Sequence, residues 1–371
     1  MKTVGKEVLK INTTLENTRN GEGTFARLDS GDILFAYTKF DVSQHDHGSA
    51  CIAACVSHDE GETWGEPFVM IEKDDGAQNI MSPSFVMLDG GALGIVYLRK
   101  EKRGMENTLY CMPVFRSSRD GGKTWSEPAY MTDDPSYYVV VNDSVIRQKN
   151  GRILVPVSRA GNGHYEYFAG NTFFLYSDDL GKTWQRSDVT IVSPYEDKIG
   201  LQEPGVYEYE NGDLWVWFRT GYGFQYQSFS HDGANTFTSP APNFHFTSPD
   251  SPMRVKKVGA LTVAVFNPLP YNCMREDVEK WHSPKRTPLV CAVSRDDGRS
   301  FDTTGKAASG TSLDGFAPNV YLIEGDTRDS YCYPAIIETK DGFLVSYYHS
   351  AGTDMCLNIT KMTKIYFDEL K

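Results

Sequence analysis

Six times along the chain an apolar stretch meets a polar, glycine-bearing turn and resumes as an alternating run of β-branched and aromatic residues. The copies are ARLDSGDILFAY, VMLDGGALGIVY, IRQKNGRILVPV, YEYENGDLWVWF, RVKKVGALTVAV and IETKDGFLVSYY. Alternation with period two on both sides of such a turn predicts a tight β-hairpin. The turn glycines, Gly31, Gly91, Gly151, Gly212, Gly259 and Gly342, are separated by 60, 60, 61, 47 and 83 residues. Each interval has room for four antiparallel strands, and no long segment carries the period of a helix. Six such units use up the chain, which predicts an all-β fold: a six-bladed β-propeller of four-stranded antiparallel blades, with residues 1–371 as one domain.

A second repeat follows the hairpins. The octapeptide S-x-D-x-G-x-T-W stands at Ser57–Trp64, Ser118–Trp125 and Ser177–Trp184, with two degraded copies at Ser230–Phe237, where Ala234 replaces glycine, and Ser294–Phe301, where Ser300 replaces threonine. It reads as a turn in which the aspartate accepts backbone N–H groups, glycine takes a conformation closed to other residues, and the aromatic packs between sheets. The sixth unit has no such box. That absence predicts that the N-terminal EVLKI supplies its outer strand and closes the ring.

Composition narrows the functional classes. The 371 residues are 40% hydrophobic, enough for a sizeable core, and the net charge of −12 disfavours nucleic acid or an anionic membrane surface as a partner. No apolar run reaches the length of a membrane span, and the N-terminus lacks the apolar core of a signal peptide, so the expectation is a cytoplasmic protein or a secreted one without its leader. Oligomeric state leaves no mark in the sequence. Seven cysteines, an odd number with no C-x-x-C pair, read as reduced and mostly buried. No cofactor is expected, and Asp41, His45, Asp46 and His47 are too loosely spaced on one loop to specify a metal site.

If the turn glycines mark one rim, residues about nine before and seven or eight after each glycine line the opposite mouth. This rule gives Glu22 with Lys39, Ser82 with Arg99, Asn142 with Arg159, Glu203 with Arg219, Asp250 with Asn267, and Tyr333 with His349. Loops at the same mouth carry Asp46 and His47, then His164, Tyr165 and Tyr167, then Tyr222 and Phe224, then the segment 267–289. Tyr165, Tyr167, Tyr222, Phe224, Tyr226 and Trp281 suit stacking on sugar rings, with loop packing as the equal alternative.

The boxes and the six hairpins resemble those of the sialidase (neuraminidase) superfamily, over essentially the whole chain. The resemblance implies a glycoside hydrolase, exo-acting and retaining, on a glycan with an acidic or related terminal sugar. Tyr333-Pro-Ala-Ile-Ile-Glu-Thr-Lys-Asp-Gly342 keeps the family's spacing from nucleophilic tyrosine to turn glycine, although His349 stands where the family has an acid. By the same resemblance Glu203 polarises that tyrosine, Arg219 grips the substrate's carboxylate, and Asp46 is the general acid. A neutral phenol meets less repulsion from a sugar carboxylate than a carboxylate nucleophile would. The remaining substrate-binding candidates are Glu22, Asn142, Asp143, Arg254, Arg159, Lys39, His47 and His349.

Two departures keep other readings open. Glu22 occupies the place of the family's first arginine, and Arg254 lies several residues deeper than the mouth rule requires. Two like charges ~4 Å apart cost about 4 kcal/mol at an effective dielectric near 20, so an unpaired Glu22 would repel a sialoside and bind sugar hydroxyls instead. The alternatives are a hydrolase or lyase for another sugar on the same propeller, and a non-catalytic glycan-binding propeller. Individually, Glu203 and Arg219 also read as a rim salt bridge, and Tyr333 as a core tyrosine.

Overall fold

The hairpin repeat folds into six antiparallel sheets arranged as propeller blades. The computed structural model describes residues 1–104, 108–160, 170–195, 199–270, 286–303, 319–350 and 357–371. The first blade runs Arg19–Arg27, Ile33–Phe40, Ala50–Ser57 and Phe68–Ile71 from the centre outward. Inner strands at Asn79–Met87, Gln202–Glu208, Arg254–Val258 and Ser330–Glu338 open the second, fourth, fifth and sixth blades. The inner strand of the third is broken into Tyr138–Val139 and Ile146–Arg147. Neighbouring inner strands touch one another around a central channel.

Lys6–Ile11 pairs antiparallel with Ile359–Tyr366 and completes the sixth blade, as the missing box implied. One addition was not legible in the pattern: Lys2–Thr3 pairs parallel with Val320–Glu324 and adds a fifth strand to the fifth blade. Two residues are too few to show a period. The N-terminus therefore ties together the last two blades.

Among the described residues the buried apolar side chains gather at the six seams between blades. The boxes set those seams from outside. In each, the aspartate accepts the Ser hydroxyl and the N–H and hydroxyl of the residue four positions on, as Asp179 does from Ser177 and Thr183. Ser300 makes the same bonds to Asp296 in place of threonine. Ala234 adopts φ 75°, close to the 83–87° of Gly61, Gly122 and Gly181, so the degraded box keeps its shape at the expense of backbone strain. Trp184 packs at 5.3 Å on Phe115 of the neighbouring blade, and Phe237 stacks at 5.1 Å on Phe174.

At the opposite end of the hairpins the inner strands break their own register. The pairing shifts between Gly21 and Thr24, Met81 and Ser84, Gln202 and Gly205, and Cys332 and Ala335. At each shift sits a non-glycine residue in the left-handed region: Glu22 (φ 54°), Ser82 (φ 55°), Glu203 (φ 42°) and Tyr333 (φ 54°), with Asp143 (φ 55°) in the broken strand. A bulge inserts one residue into a strand and re-aims its side chain. The bulge recurs in four of the six inner strands and the left-handed residue in five, and strained backbone of this kind collects where function needs a fixed side chain. Pro83, Pro204 and Pro334 directly follow three of these residues, and a proline within an apolar strand is the sequence mark of such a bulge.

Candidate active site

The bulges at Glu203 and Tyr333 turn two side chains from different blades toward each other. Tyr333 Oη donates to Glu203 Oε1 at 2.7 Å. Arg219 Nη1 meets the same carboxylate oxygen at 2.8 Å and donates to Tyr333 Oη at 3.2 Å, while its Nε donates to Asp250 Oδ1 at 2.5 Å. Burial, reinforced by Glu203, pushes the Tyr333 phenol well above its ordinary range, so it rests neutral with its proton directed at the carboxylate. Burial opposes the charge on Arg219, but Asp250 and Glu203 outweigh it. Glu203 Oε2 is buried with no partner among the described residues. Close packing also fixes the strand beyond this bulge: a Cβ on Gly205 would lie 2.2 Å from the buried Trp217 ring.

Two more arginines stand beside this pair. The Arg286 guanidinium lies 5.5 Å from the Tyr333 ring centroid, with Nε on the Asp250 carbonyl at 3.1 Å and Nη1 on Cys332 Sγ at 3.1 Å. Arg254 Nη2 donates to the Asn142 carbonyl at 2.5 Å, and its Nε is buried without a partner. Burial pulls Arg254 down to about 10, which leaves it charged at neutral pH. Neither arginine meets a carboxylate among the described residues, so both retain positive charge for an incoming anion.

A parallel group is built on the first blade. Arg19 Nη1 donates to Asp46 Oδ1 at 2.5 Å, Nη2 to Glu22 Oε1 at 3.2 Å, and Nε to Tyr348 Oη at 2.9 Å. Ser82 Oγ donates to Glu22 Oε2. Both oxygens of Glu22 are thereby engaged, so the carboxylate is not the unpaired group whose repulsion was expected, and neither oxygen is spare for a sugar. Burial raises the Glu22 carboxyl against the pull of Arg19. Burial would raise Asp46 too, but Arg19 and then Lys100 hold it below the usual carboxylate range, so it rests ionised. The rings of Tyr348 and Tyr333 meet edge-on at 5.8 Å, joining the two groups.

The other residues expected at the mouth divide between the site and its frame. Asn142 Nδ2 donates to the Gly23 carbonyl at 2.7 Å and to the Tyr333 carbonyl at 3.4 Å. Asp143 accepts from Thr24, Lys256 and the Ile336 N–H, tying the first, fifth and sixth blades to the third. Arg159 is held by Asp134 at 3.2 Å and Ser136 at 2.9 Å, within its own blade. Lys39 sits half-buried in register with Asn20 and Cys51. His349 Nε2 pairs with Asp329 at 2.8 Å and stacks on Tyr331, and His47 faces Tyr137 edge-on at 6.4 Å. Nothing places Arg159, Lys39 or His349 against the Tyr333–Glu203 pair.

Tyr222 meets Tyr195 edge-on at 5.3 Å and Phe224 meets Phe244 at 5.4 Å, while Tyr226 is buried. His164, Tyr165, Tyr167 and Trp281 lie outside the described residues. Among the described residues no three His, Cys, Asp or Glu side chains gather to hold a metal ion. Cys51, Cys55, Cys111, Cys291 and Cys332 are unpaired and buried.

No hairpin offset or repeat in the sequence singles out Arg19, Arg286 or Tyr348. Arg19 and Glu22 are three positions apart, which in a regular strand puts them on opposite faces; the bulge between Gly21 and Thr24 brings them together. Arg286 ends a long insertion between strands, where no hairpin offset applies.

The profile of the BNR repeat-like domain family matches residues 31–346. A sialidase of Bacteroides fragilis is 29% identical over 108 residues, a stretch that makes up 28% of this chain and 19% of that protein, so the match spans about a fifth of its length. A protein of unknown function from Dyadobacter fermentans superposes with TM-score 0.72 at 19% identity, covering 97% of this chain and 99% of that one. The leech intramolecular trans-sialidase, solved with 2,7-anhydro-Neu5Ac, superposes with TM-score 0.70 at 14% identity, covering 100% of this chain and 71% of that one. At these identities the likeness concerns the fold.

Proposed function

The chain belongs to the BNR repeat-like domain family, and on that footing we propose that it is a sialidase-like, exo-acting, retaining glycoside hydrolase for a glycan ending in an acidic sugar. The observation that carries this reading is the contact of Tyr333 Oη with Glu203 Oε1 at 2.7 Å, with Arg219 touching both. In the first step Tyr333 Oη bonds to the anomeric carbon while Glu203 Oε1 takes the phenolic proton. The bond to the aglycone oxygen breaks, and Asp46 supplies that oxygen's proton. Because Asp46 rests ionised, it takes this proton from solvent before the step. Water then releases the sugar from Tyr333, Asp46 accepting its proton and Glu203 returning one to the phenolate.

Arg254 and Arg286, which hold no carboxylate partner among the described residues, grip the sugar's anionic group beside Arg219. A second observation favours an acidic terminal sugar: Glu22, at 4% exposure, is turned onto Arg19 and Ser82 rather than presented to a ligand.

The reading is tested with a panel of neutral and acidic aryl glycosides, following the anomer first released by NMR. Retention on an acidic sugar, with turnover lost by at least ~10⁴-fold in a folded Tyr333→Phe variant, is the expected result. Wild-type rates in Tyr333→Phe, or no turnover of any acidic glycoside by the wild type, would overturn it.

A further inference from the structure

The Arg19 group carries an inference that rests on the glycosidase reading. Arg19 has its donors engaged at Nε on Tyr348 Oη, at Nη1 on the Gln44 carbonyl (3.1 Å) and Asp46 Oδ1, and at Nη2 on Glu22 Oε1. Its guanidinium is also held between two rings, 4.6 Å from the centroid of Phe40 and 5.1 Å from that of Tyr348. Pulling Arg19 toward a substrate would strand Glu22, which is only 4% exposed. An uncompensated buried carboxylate is costly, so this arginine is poorly placed to bind a ligand.

Asp46 differs from its partner. Its carbonyl is pinned by Asn79 Nδ2 at 2.8 Å and Lys100 Nζ at 2.6 Å, and Oδ1 is fixed by Arg19. Its side chain is nevertheless 53% exposed, and Oδ2 receives no hydrogen bond from the described residues. One oxygen is clamped and the other is available.

We propose that Arg19 is a positioning residue, which clamps Asp46 by Oδ1 so that Oδ2 serves the leaving-group oxygen, and that Glu22 retains Arg19 in this task and away from the substrate's anion. The division of labour follows from the donors: Arg254 and Arg286 have charge to offer, and Arg19 has none. The charged and titratable groups facing Asp46 are Arg19 and Glu22 on the first inner strand, Tyr348 from the sixth blade, Lys100 from the second, and His47 beside it. Arg19 and Lys100 favour its ionised form. Glu22 weakens that effect by sharing Arg19.

The two substitutions therefore move Asp46 in opposite directions. In the full-length chain, ¹³C-carboxyl NMR with Asp46 assigned through Asp46→Asn gives its titration midpoint without reference to activity. Arg19→Gln should raise that midpoint by about one pH unit or more, and Glu22→Gln should lower it. In the activity arm, protonated Asp46 is the competent acid, so the alkaline limb of kcat/KM should follow the same two shifts. With rates corrected for the protonated fraction of Asp46 given by the NMR midpoint, Arg19→Gln should lower kcat on poor leaving groups by ~10- to 100-fold through lost alignment, with KM for the acidic sugar nearly unchanged. If Arg19→Gln fails to fold, Arg19→Lys should shift the midpoint upward by less.

An unmoved Asp46 midpoint in the folded variant overturns the proposal. So does a KM that rises as far as in Arg286→Gln with kcat intact, which would make Arg19 a substrate anchor. A wild type that cleaves no glycoside refutes the glycosidase reading alone, and the NMR arm still decides the role of Arg19.

Discussion

Arg219→Met offers a direct measure of how much strain the site carries. Arg219 stands between Glu203 at 2.8 Å and Asp250 at 2.5 Å, with 11%, 9% and 26% of the three side chains exposed. Removing one member of a buried ion pair costs ~3–5 kcal/mol, because the abandoned charge remains buried. Asp250 is a quarter exposed, which draws the expected cost toward ~3 kcal/mol. With an unfolding entropy of about 2.1 cal/mol/K per residue, 371 residues give ~0.8 kcal/mol/K, so the melting temperature should fall by about 4 °C at pH 7.

The pH dependence fixes the cause. In the wild type, burial raises Asp250 but Arg219 overcomes it, so the folded-state carboxyl lies below its unfolded value. Its stabilising contribution is present above the unfolded value near ~3.9 and is lost as pH falls through the lower folded one. Without Arg219 the burial effect prevails and the sign reverses: the orphaned carboxylate destabilises at neutral pH and is relieved as pH falls through its raised value. The gap between wild type and variant, read by differential scanning fluorimetry, should therefore narrow from pH 7 to pH 5. Adding Asp250→Asn should recover part of the loss, with a coupling of ~1–3 kcal/mol. A melting temperature unchanged within 1 °C at pH 7, or a gap as wide at pH 5, would refute the reasoning.

Two further outcomes are expected. Asp46→Asn should reduce turnover by ~10²- to 10⁴-fold on poor leaving groups and far less on activated aryl glycosides; equal losses across a leaving-group series would remove Asp46 from the acid role. Ala234→Gly should relieve the left-handed backbone of the fourth box and raise stability by ~0.5–1 kcal/mol, read as a higher midpoint in urea with the same slope, whereas a lower midpoint would mean that Ala234 bears no strain there.

The local pattern carried the architecture because propeller blades are made of local contacts. A period-two hairpin needs only its own dozen residues to declare itself, and six of them with five boxes account for the strands, the seams and the closure by Lys6–Ile11. The offset from turn glycine to mouth also pointed to Glu203, Arg219 and Tyr333 as neighbours, since each hairpin measures a fixed length of strand. It did not reveal how those strands end. The bulges at Glu22, Ser82, Glu203 and Tyr333 shift the register by a residue, and one residue reverses the face on which a strand side chain lies. Thus Arg19 joins Glu22 and Asp46, Asp143 becomes a tie between blades, and Arg286, at the end of an insertion with no period of its own, comes to lie over Tyr333. Sequence alone determined the number of blades and which strand ends share a mouth, because both depend on neighbours along the chain. The pairing of each arginine with its carboxylates was decided only by tertiary structure, because within the first and fourth blades it depends on bulges and connecting loops that follow no strand period, and the contact of Tyr333 with Glu203 joins two blades that meet only once the ring has closed.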